Sequence, residues 1–372
     1  MRAKIPIAEP WLGEEELNNA VQAIRSGWIS SQGEFILEFE QKFARYCGAR
    51  FGVATSNGTV ALHLALKALG IQQGDEVLVP ALTFIATANT VAYCNAKPVF
   101  VDSHPVYWCI DPDRIAERVT KRTRAIVPVH LYGHPCDMAA IMHIAKNHNL
   151  YVIEDAAEAH GASYRDKRVG SFGHINCFSF YGNKIISTGE GGMCLTDDED
   201  LATRMRILRD HGMNPNRRYW YDVVGFNYRM TNLQAAVGAA QVDKLDMLIA
   251  RRRQLAAWYQ EAFKDLVERG LVTLPPEMPW AKSVYWMYSI LVEDRFGTSR
   301  DELINSLKER GIETRPLFYP LHLMPPYQRR NSRAFSVAEE VGRKGINLPS
   351  GPRVTKEQVI EITNSIRSIQ AR

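Results

Sequence analysis

Seven short apolar runs, at 51–54, 76–79, 98–101, 125–129, 151–154, 177–180 and 192–196, alternate with amphipathic stretches over the first half of the chain. This alternation constrains the fold more than any other feature. Short runs of four to five mostly apolar residues suit strands buried on both faces, and the segments between them, such as 59–69 and 137–147, carry a helical pattern. Asp137 stands where the second of those helices needs its N-cap. Strands that alternate with helices predict a mostly parallel seven-stranded sheet covered by helices on both faces. A ligand site then belongs at the carboxyl ends of the strands.

Two helical patterns precede the sheet, at 14–26 and 34–47, with Gly27 and Gly48 as their stops. Helical signals return from Thr231 to Lys264, where the triplet Arg251-Arg252-Arg253 reads as a solvated face. The break Leu274-Pro275-Pro276-Glu277-Met278-Pro279 reads as a domain joint. It divides the chain into a large α/β domain, 1–274, and a small α+β domain, 275–372. The small domain should hold a strand at 285–292, a helix at 300–310, an aromatic and proline-rich loop at 315–327 and a last helix opened by the Thr355-x-x-Gln358 capping box.

The net charge of +4 over 372 residues gives no reason to invoke nucleic acid. Six cysteines, scattered and without a C-x-x-C pair, read as idle thiols in a reducing cytoplasm. No stretch is apolar for the ~18 residues that a membrane helix needs, so neither a span nor a signal peptide is expected. No metal-ligand spacing is apparent.

The chemistry concentrates at three strand ends. Lys184 lies in the run Phe180-Tyr181-Gly182-Asn183-Lys184-Ile185-Ile186-Ser187-Thr188-Gly189, among small and aromatic residues between two strand-like runs. That setting suits an amine that must shed its proton and attack a carbonyl. Asp155 ends the run Leu150-Tyr151-Val152-Ile153-Glu154. A Schiff-base lysine and a carboxylate that pairs with a pyridinium nitrogen are the two protein groups a pyridoxal phosphate enzyme needs. Ser56-Asn57-Gly58-Thr59 follows the first strand and opens a helix, a start whose free N–H groups suit phosphate. Read alone, it is equally a capped helix with no ligand. Phe84 could lie against a planar ring or be plain core, Glu158 could reach a ring hydroxyl, and Ser179 could add a phosphate contact. His160 reads as a satisfied core histidine.

With these motifs stand Trp28-Ile29-Ser30-Ser31-Gln32-Gly33, Pro128-Val129-His130-Leu131-Tyr132-Gly133, Glu154-Asp155-Ala156-Ala157-Glu158-Ala159, Gly225-Phe226-Asn227-Tyr228-Arg229-Met230 and Arg315-Pro316. Together they resemble the sugar-nucleotide aminotransferases of the DegT/DnrJ/EryC1/StrS family along essentially the whole chain. The resemblance implies pyridoxal phosphate fold type I, the aspartate aminotransferase-like architecture. It implies a homodimer with shared active sites, and amino transfer from L-glutamate to C4″ of a GDP-linked 4-keto-6-deoxymannose. The runner-up acceptor is a dTDP- or UDP-linked 4-keto sugar. A 3-dehydratase, in which histidine replaces the lysine, and a non-catalytic regulator are the remaining readings, and Lys184 speaks against both.

Carried over to this chain, the resemblance gives Lys184 and Asp155 the catalytic roles. It assigns the cofactor phosphate to Gly58, Thr59 and Ser179, with Asn227 reaching it from the second subunit, and counts Asn57 among the cofactor-binding residues. Phe84 stacks on the ring and Glu158, where the family usually has glutamine, approaches its hydroxyl. Trp28, Tyr319 and His322 become candidates for the nucleotide base, and Arg217, Arg218 and Arg315 for the diphosphate. The bland reading of Arg217 and Arg218 is a pair of solvated loop charges.

Overall fold

The computed structural model describes residues 4–328 and 335–370. One sheet holds seven strands: β1 (Phe51–Thr55), β2 (Glu76–Pro80), β3 (Lys97–Val101), β4 (Thr123–Ile126), β5 (Tyr151–Asp155), β6 (Ile175–Ser179) and β7 (Gly192–Thr196). Their order is β1-β7-β6-β5-β4-β2-β3. Strands β2 to β6 pair in parallel, and β7 lies antiparallel to both β1 and β6. Each apolar run read from the sequence falls on one of these strands. Side chains alternate between two cores, as the period of a strand requires. Leu78 belongs to the core that holds Phe39, Phe43 and Phe178, while Val77 and Val79 belong to the one that holds Leu62 and Leu64.

A smaller sheet runs Val272–Thr273, Tyr288–Val292, Gly345–Leu348, Arg315–Pro316. The helices Arg300–Glu309 and Lys356–Gln370 cover it through Leu303, Leu307, Ile362 and Ile366. Ile5 and the far end of the helix Leu245–Ala262 join this second core through Leu255, Ala256 and Tyr259. The near end of the same helix, through Leu245, Leu248 and Ile249, belongs to the first.

Two sequence expectations need correcting. The strand expected from 285 begins only at Tyr288. The preceding residues leave the sheet to meet the turn Leu131–Gly133 that follows β4: Val284 N donates to Gly133 O at 3.1 Å and Trp286 N to Tyr132 O at 3.0 Å. Gly133 makes this approach possible, because at φ +97° a Cβ there would sit 2.9 Å from the amide nitrogens of both Tyr285 and Trp286. The arginine triplet is not a uniformly solvated face. Arg252 is buried, and its Nη1 donates to Trp286 O at 2.7 Å and Ser350 O at 2.8 Å. Its partners are carbonyls distant in sequence, so the local run of charge does not reveal its burial. Among the described residues, no helix is long and apolar enough to cross a membrane.

Candidate active site

Strands β1, β5 and β6 point the same way, so their carboxyl ends open on one edge of the sheet. Asp155 ends β5, Ser179 ends β6, and Asn57 follows β1 by two residues. All three line one cavity of about 790 Å³. Gly58, Thr59, Phe84, Glu158 and Lys184 line it too, so these sequence candidates come together.

The helix Gly58–Ala68 starts at the cavity wall. Asn57 caps it, its Oδ1 accepting from Val60 N at 3.0 Å and its carbonyl from Ala61 N at 3.2 Å. The N–H groups of Gly58 and Thr59 make no hydrogen bond among the described residues. A Cβ on Gly58 would lie 2.6 Å from the Ser179 Cβ, so only glycine lets this helix start abut the end of β6. Two free amides, a helix dipole and the Ser179 hydroxyl thus form a cradle for an anion.

Deeper in the cavity lie two carboxylates and one amine. Asp155 is buried, accepting from Thr87 Oγ1 at 2.8 Å and Ala157 N at 3.3 Å. Burial pushes its pKa up, since no cation touches it among the described residues. Glu158 accepts from Tyr132 N at 2.8 Å, and burial raises its pKa to about 7 despite the attraction of Lys184. Lys184 Nζ lies 4.0 Å from Glu158 Oε1 and 3.8 Å from the centre of the Trp286 ring. Burial depresses the lysine's pKa, against the pull of Glu158 and Asp155. A desolvated amine between hydrogen-bonded carboxylates is equipped to act first as nucleophile and then as proton carrier.

Phe84 is 55% exposed on the cavity wall beside Phe318, which sets aside the plain-core reading. Arg315 also lines the cavity, paired with Glu313 at 3.1 Å. Trp28, Arg217, Arg218, Asn227, Tyr319 and His322 do not line the cavity of their own chain. Arg217 and Arg218 lie over the rings of Trp220 and Tyr219 in an exposed loop. The His322 ring is buried, bonded to Glu339 at 2.9 Å and stacked on Phe335. His160 is a core residue among Phe43, Phe178 and Phe180, yet neither ring nitrogen has a hydrogen-bond partner among the described residues. Burial and nearby Lys184 hold it neutral, with a pKa lowered to about 3.

Sequence reasoning missed Trp286, Tyr132 and Phe318, which line the same cavity. Trp286 and Phe318 arrive from the C-terminal third of the chain. Only the aromatic richness of 285–288 and of the loop at 315–327 could have flagged them.

The model of the DegT/DnrJ/EryC1/StrS aminotransferase family matches residues 10–367. The chain is 48% identical over 366 residues to GDP-perosamine synthase of Caulobacter vibrioides, covering 98% of each chain. It is 47% identical to GDP-perosamine synthase of Escherichia coli O157:H7, covering 97% of each. Among solved structures, Streptomyces venezuelae DesV superposes with a TM-score of 0.89 at 36% identity, over 96% of this chain and 95% of that one.

Proposed function

The chain belongs to the DegT/DnrJ/EryC1/StrS aminotransferase family, whose members are pyridoxal phosphate-dependent enzymes, and from that premise we propose that it makes GDP-perosamine. The amino group passes from L-glutamate to C4″ of GDP-4-keto-6-deoxy-D-mannose, in the cytoplasm, for surface polysaccharide such as O-antigen. What carries the choice of acceptor is the near-full-length identity to two GDP-perosamine synthases.

The cavity's donor set fits the cofactor. The free amides of Gly58 and Thr59, with the Ser179 hydroxyl, would hold its phosphate. Asp155, a buried carboxylate without a cation, would hold its pyridinium nitrogen, and Phe84 would cover the ring. Bound there, pyridoxal phosphate supplies an electron sink that weakens the donor's Cα–H bond. Lys184 would hold the cofactor through Nζ and would take and return the proton at the reacting carbon. Glu158, 4.0 Å from the amine, would approach the ring hydroxyl.

We place Asn227 in the partner's site. It is exposed, it does not line its own cavity, and near it Tyr219, Trp220, Tyr221 and Val224 expose an apolar surface of the kind that a second copy would cover. Mixing Lys184→Ala subunits with Asn227→Ala subunits is expected to restore activity, because one site of each heterodimer receives both native residues. Confirmed subunit exchange without recovery would return Asn227 to its own chain.

A panel of nucleotide-linked 4-keto sugars tests the acceptor. The GDP-linked 4-keto-6-deoxymannose is expected to turn over best, and a far better dTDP or UDP sugar would end that assignment while leaving amino transfer intact. Arg315→Ala is expected to raise KM for the sugar nucleotide about ten- to hundredfold, the worth of one charge-assisted hydrogen bond. The glutamate half-reaction should stay nearly unchanged. If both half-reactions fell together, Arg315 would serve the donor or the fold instead.

A further inference from the structure

We infer that Trp286 is a positioning residue for Lys184: its indole face seats the amine and its indole N–H fixes the backbone beside it. The ring centre lies 3.8 Å from Lys184 Nζ. Trp286 Nε1 donates to Asn183 O at 2.8 Å, across the peptide bond that leads into Lys184. One side chain therefore holds both ends of the lysine.

Trp286 is itself held firmly. It is only 5% exposed. Its backbone N–H is bound to Tyr132 O at 3.0 Å, and its carbonyl accepts from the buried Arg252 at 2.7 Å. The Tyr132 ring lies nearly parallel to it, with centroids 6.1 Å apart. Tyr132 N in turn donates to Glu158, the carboxylate 4.0 Å from Lys184. A core aromatic with no further role would not need its N–H aimed at the lysine's own loop, nor its face turned to the one amine in the cavity.

An aromatic face stabilises an ammonium over a neutral amine. The seat therefore opposes the burial that drives Lys184 toward its neutral form. The other groups acting on this amine are Glu158 and Asp155, which favour its charge; Lys184 in turn depresses the nearby His160. Trp286 is the uncharged member of the set, and it holds the amine without neutralising it.

The inference rests on reading Lys184 as the reactive amine, and its test separates the two. The full-length enzyme carrying pyridoxamine phosphate leaves Lys184 free. Acetylation of Lys184 across pH, followed by mass spectrometry, reads its titration midpoint without turnover. In Trp286→Leu the midpoint is expected to fall by about one pH unit, the worth of one cation–π contact. In Trp286→Phe, which keeps a weaker face and loses the N–H, it should fall less, with kcat down several-fold and KM for glutamate little changed. If Trp286→Leu fails to fold, Trp286→Phe carries the test alone. A midpoint unmoved in the folded variants would overturn the inference, even if activity fell. Lys184 would lose its own role only if a different lysine were found to carry the cofactor.

Discussion

Lys184→Ala is expected to lower kcat by at least about 10³-fold, which leaves no measurable product in a standard assay. General acid–base help alone is worth about 10²–10⁴-fold, and this substitution removes the nucleophile as well. Its side chain is mostly buried and no other lysine among the described residues lines the cavity, so a neighbour cannot substitute. In the parent enzyme, borohydride should fix the cofactor to the peptide containing Lys184. The variant should lose that covalent label while still binding pyridoxal phosphate through the helix start and Asp155. A label on any other lysine would sink the assignment.

Asp155→Asn should separate stability from activity. A charge-assisted hydrogen bond is worth about 1.5–3 kcal/mol, so the rate should fall at least ten- to hundredfold. The loss should exceed that if the carboxylate acts mainly in the transition state. Without cofactor the sign reverses. Asp155's pKa in the fold lies above its ordinary 3.8, so the folded chain binds that proton more tightly than the unfolded one. The stability this contributes is fully present below 3.8 and is lost as pH rises through the folded value. As pH rises above 3.8, burying this group therefore becomes a cost that asparagine removes. Cofactor-free Asp155→Asn should melt no lower than the parent near pH 7, yet gain less when pyridoxal phosphate is added. Parent-like rates, or equal stabilisation by the cofactor, would leave Asp155 as a strand-end residue and nothing more.

The sheet was legible because its strands are buried on both faces, and burial writes itself as unbroken apolar stretches at 77–79 and 192–195. Placement was legible too: Asn57, Asp155 and Ser179 sit where a strand gives way to a loop or helix, and Lys184 lies in the loop after Ser179. What stayed hidden depends on long-range partners. Arg252 looks like its neighbours until the carbonyls of Trp286 and Ser350 are seen around it. Trp286 falls within a stretch that reads as strand, because nothing local announces that Gly133, far upstream, draws 284–286 out of the sheet. The loop from Asn214 to Trp220 is opaque for a different reason: it is largely exposed, and its side chains pair with near neighbours in sequence such as Asp222.

The helix Leu245–Ala262, rooted in one core at Leu248 and in the other at Tyr259, bears on how such chains can be recombined. The proline-rich stretch at 274–279 invites use as a crossover point for exchanging acceptor-binding halves between relatives. A cut there would strand Leu255, Tyr259 and Phe263 on the wrong fragment, away from the Ile290 and Ile366 they pack with. Chimeras joined before Leu255 would keep the second core from a single parent once Ile5 travels with the C-terminal piece, while Trp286, Leu317 and Val341 would still bring the other parent into the first core.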